Sequence, residues 1–429
     1  MNLDSDIVER VVGLDSHPDT FTAALLRGPT PAAAIVEKLF NKVSIRQLQS
    51  WAKKHTTDKD LIVLEASGNS FEVVRMLAAV PRKALVLESC HLGKLKEAHA
   101  NNDRISAVRI GKAYLAGTAK TVWVPDQRTQ ERRDWFHAHH KATKRTTQMN
   151  ARIRSYLSDN GVRLKKHTPL TNAGQAEEQL RQARQWSARQ WQVIEGMLME
   201  LRHAEEQRKY WRRLIAQEVL GDPELLAIVR LCGVREMVAF ALGAFIGDIK
   251  RFSEPKKLVK YVGLDPAFDD SGQSEWSGGI GGHGNRHLRC LLIEGAQAIL
   301  RCGKSSLAQW GKKLLARKSS LNLAVCAIAR KLAVAAWYLM SGRWSALEEL
   351  DAGLKLKVGK MISQLGEAGL KQLSKTRKAF REEIFQSLKA GKIYQPNSGE
   401  SPVKRESPVE RFARQHGLSL RMARFLYDG

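Results

Sequence analysis

The sequence predicts an α/β domain, then a long helical hairpin or coiled coil, then a mainly α-helical region. Three observations carry this. From Val11 to Trp123 short apolar runs alternate with amphipathic stretches. At Pro125 the chain turns to long, charged, Gln- and Arg-rich segments almost free of Gly and Pro. From Gly221 onward, short apolar helical patterns are broken by Gly and Asp. The expected divisions are therefore 1–126, 127–220 and 221–345, followed by a basic extension over 346–429.

In the first division Val11–Leu14 and Thr20–Leu26 are expected to pair as a hairpin about the Ser16–Asp19 turn, and Ala32–Lys54 to be helical. Leu61–Leu64 and Ala84–Leu87 read as strands, Gly68–Leu77, Leu95–His99 and Ile105–Leu115 as helices, and Thr121–Val124 as a short last strand. In the second, Thr129–Leu157 and Gly174–Leu220 read as two long helices, folded back across Gly161 and Pro169 or dimerising as a coiled coil. Trp191, Val193, Ile194, Met197 and Leu201 mark their packed seam. In the third, Leu225–Leu231, Arg235–Phe245, Lys256–Tyr261, Asn285–Cys302 and Leu321–Met340 read as helices, and Gly263–Gly284 as a long loop. The extension carries a linker at Tyr394–Pro408 and a last helical piece over Pro408–Tyr427.

A formal charge of +26, spread along 429 residues, exceeds what solubility needs and favours a polyanion bound through its phosphates. An anionic membrane surface is the rival partner. No uninterrupted apolar run reaches the ~18 residues of a membrane span, and no signal-peptide pattern opens the chain. The five cysteines, Cys90, Cys232, Cys290, Cys302 and Cys326, form no CxxC pair, which argues against structural zinc or a disulfide framework and for a reduced cytoplasm.

Three constellations bear chemistry. In the first, Asp15 and Glu65 each end an apolar run, so two buried strands bring carboxylates to one sheet edge. A strand-end turn accounts for either alone. As a pair they suit hard Mg²⁺ or Mn²⁺, which take oxygen ligands. Asp103 opens a helix, where the dipole favours a carboxylate and an N-cap role explains it equally; Ser106 shares its face. The second is the glycine-rich loop after Gly263, with Ser271, Ser274 and Ser277 as candidate nucleophiles among which spacing does not choose. Beyond it, backbone amides with Arg286 and Arg289 at a helix start suit a phosphate. The third, Leu231–Arg235 with Ile246–Phe252, reads as a helix-hairpin-helix gripping a phosphodiester through Gly233 and Arg235, or as a plain helical hairpin.

These residues resemble one family. Asp15–Thr20 is similar to the Asp-x-His-x-Asp-Thr opening of the DEDD transposases of the insertion-sequence 110 family, which includes Piv-type DNA invertases. Glu65–Gly68 resembles their Glu-x-Thr-Gly strand end, and Asn102–Ala107 their Thr-Asp-x-x-Asp-Ala helix start. Val122–Asp126, Ile246–Phe252 and Tyr261–Pro266 follow in the family's order, as do Ser271-Gly272, Gly279-Ile280, Gly284-Asn285 and Leu288-Arg289. The likeness runs from about Val11 to about Met340.

The resemblance implies an N-terminal RuvC-like (RNase H-fold) domain, a coiled-coil segment and a C-terminal transposase domain. It implies a recombinase guided by a non-coding bridge RNA that pairs with target and donor DNA. Ser271 is the implied nucleophile, forming a phosphoserine link beside Gly272. Asp15, Glu65, Asp103 and the Ser106 position would hold Mg²⁺ or Mn²⁺. A homodimer to homotetramer at the bacterial nucleoid is the implied assembly.

The chain departs from the family in three places. Ser106 stands where the family has its fourth acidic residue, Val234-Arg235 where Ile-Gly is usual, and Gly281-Gly282 where a Lys is common. Two functions follow as expectations: an RNA-guided transposase or invertase, or a domesticated nucleic-acid-binding protein whose catalysis Ser106 impairs. A metal nuclease independent of Ser271 is a weaker third, because three carboxylates do not favour a two-metal cut.

Overall fold

The apolar run after Arg10 becomes β1 (Arg10–Ser16), the strand on which the first half of the chain is built. The structure is a computed structural model that describes residues 9–89, 102–164, 170, 173–271, 274–281, 283–303, 305–343 and 353–390. It divides into two compact units, Met1–Arg128 and Thr129–Gly429.

In the first unit β1 runs antiparallel to β2 (Thr20–Arg27) and parallel to β4 (Asp60–Glu65). β3 (Ile35–Ser44) lies antiparallel on β2, β5 (Lys83–Leu87) parallel on β4, and β6 (Thr121–Val122) antiparallel on β5. The sheet order is β3-β2-β1-β4-β5-β6. Helices α1 (Leu48–His55) and α2 (Ser70–Ala78) cover one face, over Val12, Leu14, Phe21 and Ile62. Helix α3 (Asp103–Leu115) covers the other, over Val11, Val63, Ala24 and Leu26. Cover on both faces is why β1, β2 and β4 read as unbroken apolar runs.

The helix expected over Ala32–Lys54 is a strand followed by a helix, β3 and α1. Apolar Ile35, Val36, Leu39, Phe40 and Val43 fit a helical spacing, but β2 offers an open edge. Pairing there sets Phe40 edge-on to Trp51 of α1, with ring centroids 5.3 Å apart. The helix expected at Leu95–His99 lies outside the described residues.

The second unit opens with a helical hairpin. Helix α4 (Gln127–Asp159) folds back against α5 (Ala173–Ala183) and α6 (Ala188–Gly221). Met149, Ile153 and Leu157 pack with Ile194, Met197 and Leu201 at one end, while Phe136 shares a core with Ile215 and Val219 at the other. Val193, expected in the seam, is 47% exposed. The single helix expected over Gly174–Leu220 is broken because Ser187 and Gln190 form a capping box. The Ser187 hydroxyl accepts from the Gln190 backbone N–H at 3.2 Å, and the Gln190 side-chain Oε1 accepts from the Ser187 backbone N–H at 3.1 Å.

One apolar core then gathers α7 (Pro223–Val229), α8 (Glu236–Ile246), α9 (Pro255–Val262), α10 (Arg286–Cys302), α11 (Ser306–Lys318) and α12 (Leu321–Met340). Helix α12 is long and apolar enough to cross a membrane, yet Ala324, Val325, Ile328, Ala329 and Leu332 are buried in this core. Two helices of the basic extension, α13 (Leu354–Gln372) and α14 (Arg377–Ala390), join it through Val358, Met361, Ile362, Phe380 and Ile384. The Tyr394–Pro408 linker and the Pro408–Tyr427 helix lie outside the described residues.

The loop expected over Gly263–Gly284 is largely a hairpin, β7 (Pro266–Ser271) and β8 (Ser274–Ile280). Its Gly, Ser and Asp content reads as loop, but the backbone pairs antiparallel across a connection of two residues, a length at which tight hairpin turns form.

Candidate active site

The first site grows from the end of β1. Asp15 is the last but one residue of that strand, and His17 follows in the turn to β2. Gly13 lets the third member approach. A Cβ there would lie 1.9 Å from the Ala107 carbonyl oxygen, so only glycine allows α3 to lie this close to β1. The start of α3 is thereby brought to Asp15. The His17 Nε2 atom lies 3.5 Å from Asp103 Oδ1 and 4.0 Å from Asp15 Oδ2. One ligand atom from each of the three residues falls within 4.8 Å of the others, the one such His, Cys, Asp or Glu group among the described residues.

Asn102, not Asp103, caps α3: its side-chain oxygen accepts from the Ile105 N–H at 2.9 Å. Asp103 is thus free of the capping role that would have explained it away. Glu65 ends β4 beside Asp15, one residue beyond the Leu14–Leu64 register pair, and falls outside the three-residue group. The Ser106 hydroxyl accepts from the Arg109 guanidinium at 3.0 Å. The sequence reading gave His17 no role, although Asp-x-His spacing displayed it. Its turn is fixed at both ends of its peptide: the His17 N–H donates to Thr20 O at 2.8 Å, and its carbonyl accepts from Asn69 Nδ2 at 2.8 Å. Two carboxylates and an imidazole nitrogen fit a divalent cation in charge and donor type.

Serine positions come from the second unit. Ser271 ends β7 and Ser274 opens β8, paired across the hairpin end, while Ser277 pairs with Phe268 further down. Gly272, between the strands, lies outside the described residues. The hairpin's base is clamped. The Gly281 N–H donates to Asp265 O at 3.1 Å, the Asn285 N–H to Tyr261 O at 2.7 Å, and Arg330 Nε to Leu264 O at 2.9 Å. Gly263 and Gly284, at φ +77 and +90, cross so closely that a Cβ on Gly263 would lie 1.7 Å from His283 O. Arg289, expected on a phosphate, donates to His283 O at 2.8 Å and Val262 O at 3.2 Å, so it braces the base of the hairpin. Arg286, in the first turn of α10, is exposed.

The third constellation forms a helix, a turn and a helix. Gly233, at φ +74, sits between α7 and α8, where a Cβ would meet Ile299 at 2.7 Å and Gly295 O at 2.8 Å. Arg235 precedes α8 with its side chain 48% exposed and its Nε 3.5 Å from Glu236 Oε2. Lys357 of α13 closes the turn from below, donating at 2.7 Å to the carbonyls of both Val229 and Leu231.

Residues 227–311 match the model of the "Transposase IS116/IS110/IS902 family". The chain is also 25% identical over 290 residues to a transposase for insertion sequence element IS1111A of Coxiella burnetii, covering 65% of this chain and 77% of that protein. It is 30% identical over 153 residues to a "Probable family 20 transposase" of Pseudomonas aeruginosa, covering 35% of this chain and 45% of that one. A transposase for insertion sequence element IS1328 of Yersinia enterocolitica is 28% identical over 135 residues, 31% of this chain and 40% of that one. The chain therefore carries a transposase domain of this kind over 227–311, and the chain spans less than half the length of the last two relatives.

Proposed function

We propose that the protein is a DNA recombinase, a transposase or invertase, that is guided by a bridge RNA and works through a phosphoserine intermediate. The observation that carries this reading is the meeting of Asp15 and Asp103, from strand end and helix start, in a chain that also bears a transposase domain at 227–311. The mixed sheet with its acidic end supports a RuvC-like first domain. The charge of +26 supports DNA and RNA as partners.

Asp15 and Asp103, with Glu65 on the adjoining strand end, would hold Mg²⁺ or Mn²⁺. Such an ion supplies charge neutralisation and polarisation at a phosphate. The Ser271 hydroxyl attacks the phosphorus of a DNA strand. A bond forms between its oxygen and phosphorus, and the bond from phosphorus to the leaving sugar oxygen breaks. The serine proton leaves and the sugar oxygen gains one; a serine–phosphate ester replaces the sugar–phosphate ester, so the bond energy needed for rejoining is kept. Rejoining reverses the step onto a new strand end. Arg286 and the amides near Gly233 and Arg235 would grip the backbone while guide pairing reads sequence. Such an enzyme would act at the bacterial nucleoid, as a dimer or tetramer.

Ser271→Ala should abolish strand exchange by the full chain with its co-purified RNA, while Ser274→Ala and Ser277→Ala retain it; full exchange by Ser271→Ala sinks the serine mechanism. A second reading, a binding protein with impaired catalysis, is favoured by the Arg109 guanidinium on Ser106. It predicts that the parent is inactive and that Ser106→Asp restores exchange.

A further inference from the structure

We propose that the outward face of the α11–α12 pair is a docking surface for an unpaired stretch of RNA, with a base stacked on Trp310 and phosphates on Lys313, Arg317 and Lys331. The inference rests on the reading that the protein binds nucleic acid, and it adds to that reading a place on the fold and the state of the strand.

Charge is the first argument. No Asp or Glu stands between Glu294 and Glu348, a stretch that carries nine Lys and Arg. Lys313, Arg317 and Lys331 are exposed, and among the described residues they enter no ion pair. Cations gathered without carboxylates repel one another and are complementary to a chain of phosphates. The face begins inside the transposase match at 227–311, which favours nucleic acid over an anionic lipid surface.

The second argument is geometry. In α11 the residues Ala308, Gly311 and Leu314 are buried, so Trp310, Lys313 and Arg317, spaced i, i+3 and i+7, share an outward face. Lys331 of α12 completes it, with its Nζ 4.5 Å from the centroid of the Trp310 ring. The two helices hold this face rigidly. A Cβ on Gly311 would lie 2.4 Å from Ile328 Cδ1, so only glycine lets α11 lie this close to α12. Two residues alone join them: Ser319, at φ +50, and Ser320, whose side chain caps α12.

The third argument is the indole. A solvated basic face has no use for a tryptophan, yet Trp310 is 37% exposed among these cations. An exposed ammonium holds a ring face weakly, whereas a nucleobase stacks across the whole plane and binds it more strongly. The base takes the ring face that Lys331 occupies, and the Lys331 ammonium passes to the phosphate of that nucleotide. A DNA duplex keeps its bases stacked inside and could use the cations only. A folded RNA presents unpaired loops and bulges, so it uses the indole as well.

The test uses the full chain freed of nucleic acid and three labelled probes. They are an oligouridylate about 12 nucleotides long, an abasic sugar-phosphate chain of equal length and charge, and a DNA duplex of arbitrary sequence. Affinities are read by fluorescence anisotropy, and circular dichroism melts establish that each variant is folded. The parent should bind the oligouridylate about 5-fold or more tighter than the abasic chain. Trp310→Ala should lose about 5-fold for the oligouridylate and nothing for the abasic chain or the duplex, while Trp310→Phe keeps most of the affinity. Lys313→Gln combined with Arg317→Gln should lower the salt slope for the oligouridylate by about 1.4, two phosphates at about 0.7 each. A folded Trp310→Ala that keeps the full preference for bases overturns the stacking surface. Equal losses for oligouridylate and duplex in that variant overturn it too, since they mark a plain backbone contact. If the variants instead lose binding to phosphatidylserine vesicles and keep RNA, the face is a lipid surface. A parent that binds none of the three probes removes the nucleic-acid reading itself, and the inference with it.

Discussion

A methyl group added at Gly13 would press on the Ala107 carbonyl oxygen at 1.9 Å and the Gly111 nitrogen at 2.8 Å. Both belong to α3, so Gly13→Ala must push that helix away from β1. The cost expected of such overpacking is about 1–3 kcal/mol, read as a lower thermal midpoint. Because Asp103 rides on α3, the same variant should also weaken Mn²⁺ binding; unchanged metal affinity would detach the acidic site from this contact. Asp60 sets a second residue-scale expectation. Its side chain is 0% exposed, with Arg10 at 2.6 and 2.9 Å and the Thr57 N–H at 2.7 Å. Burial raises its pKa, but the Arg10 and Thr57 hydrogen bonds outweigh burial and hold the carboxyl below the ordinary 3.8. A depressed carboxylate contributes stability that is fully present above the unfolded value and lost as pH falls through the folded one. Arg10→Met should therefore cost about 3–5 kcal/mol at neutral pH, since it strands a buried charge. Chemical denaturation at pH 7 and pH 3 should show that difference shrinking in acid.

At the scale of elements, α4 carries a pH-sensitive contact. Burial first, then the cations of Arg212 and Arg208, push His139 down to about 4. In the unfolded chain it titrates near 6.5, so the unfolded state binds the extra proton between those values. Stability of the Thr129–Gly429 unit should fall as pH drops from about 6.5 toward about 4, and His139→Gln should flatten that fall in denaturant melts. The elements also show what a sequence displays and what it hides. β1, β2 and β4 were legible because burial on both faces leaves an unbroken apolar run, and Asp15 and Asp103 were legible as the polar ends of their elements. β3 was not: the spacing of Ile35, Leu39 and Phe40 suits a helix, and only the open edge of β2 decides otherwise. The serine hairpin was read as loop because its pairing lies in the backbone, which composition does not record. Arg289 was assigned to phosphate because a cation at a helix start suits one; its carbonyl partners, His283 and Val262, come from a fold-back that sequence distance conceals. His17 was visible in its motif, but its closeness to Asp103, on an element far along the chain, was not.

Across the whole molecule, the charge of +26 is what supports the proposed binding of nucleic acid. Binding of DNA or RNA through many phosphates should weaken about 10³-fold or more between 50 and 200 mM salt. A flat salt response would remove the phosphate argument. Residues 353–390 of the basic extension are part of the fold: Lys357 holds the carbonyls of Val229 and Leu231, and Gln364 donates to Glu236 at 3.0 Å beside Arg212 at 2.8 Å. Lys357→Met should therefore loosen the turn at Gly233 and reduce DNA affinity, whereas a tail free of the core would leave affinity set by charge alone. The account as a whole depends on a covalent bond between serine and DNA. The most direct measurement is to incubate the full chain and its co-purified RNA with Mn²⁺ and DNA carrying the element's ends. The complex is then denatured, and the modified peptide is mapped by mass spectrometry. The account predicts a nucleotide-linked phosphoserine at Ser271, absent from Ser271→Ala and from Asp15→Asn; strand exchange by the parent without any serine adduct, or with one at Ser274 or Ser277, would contradict it.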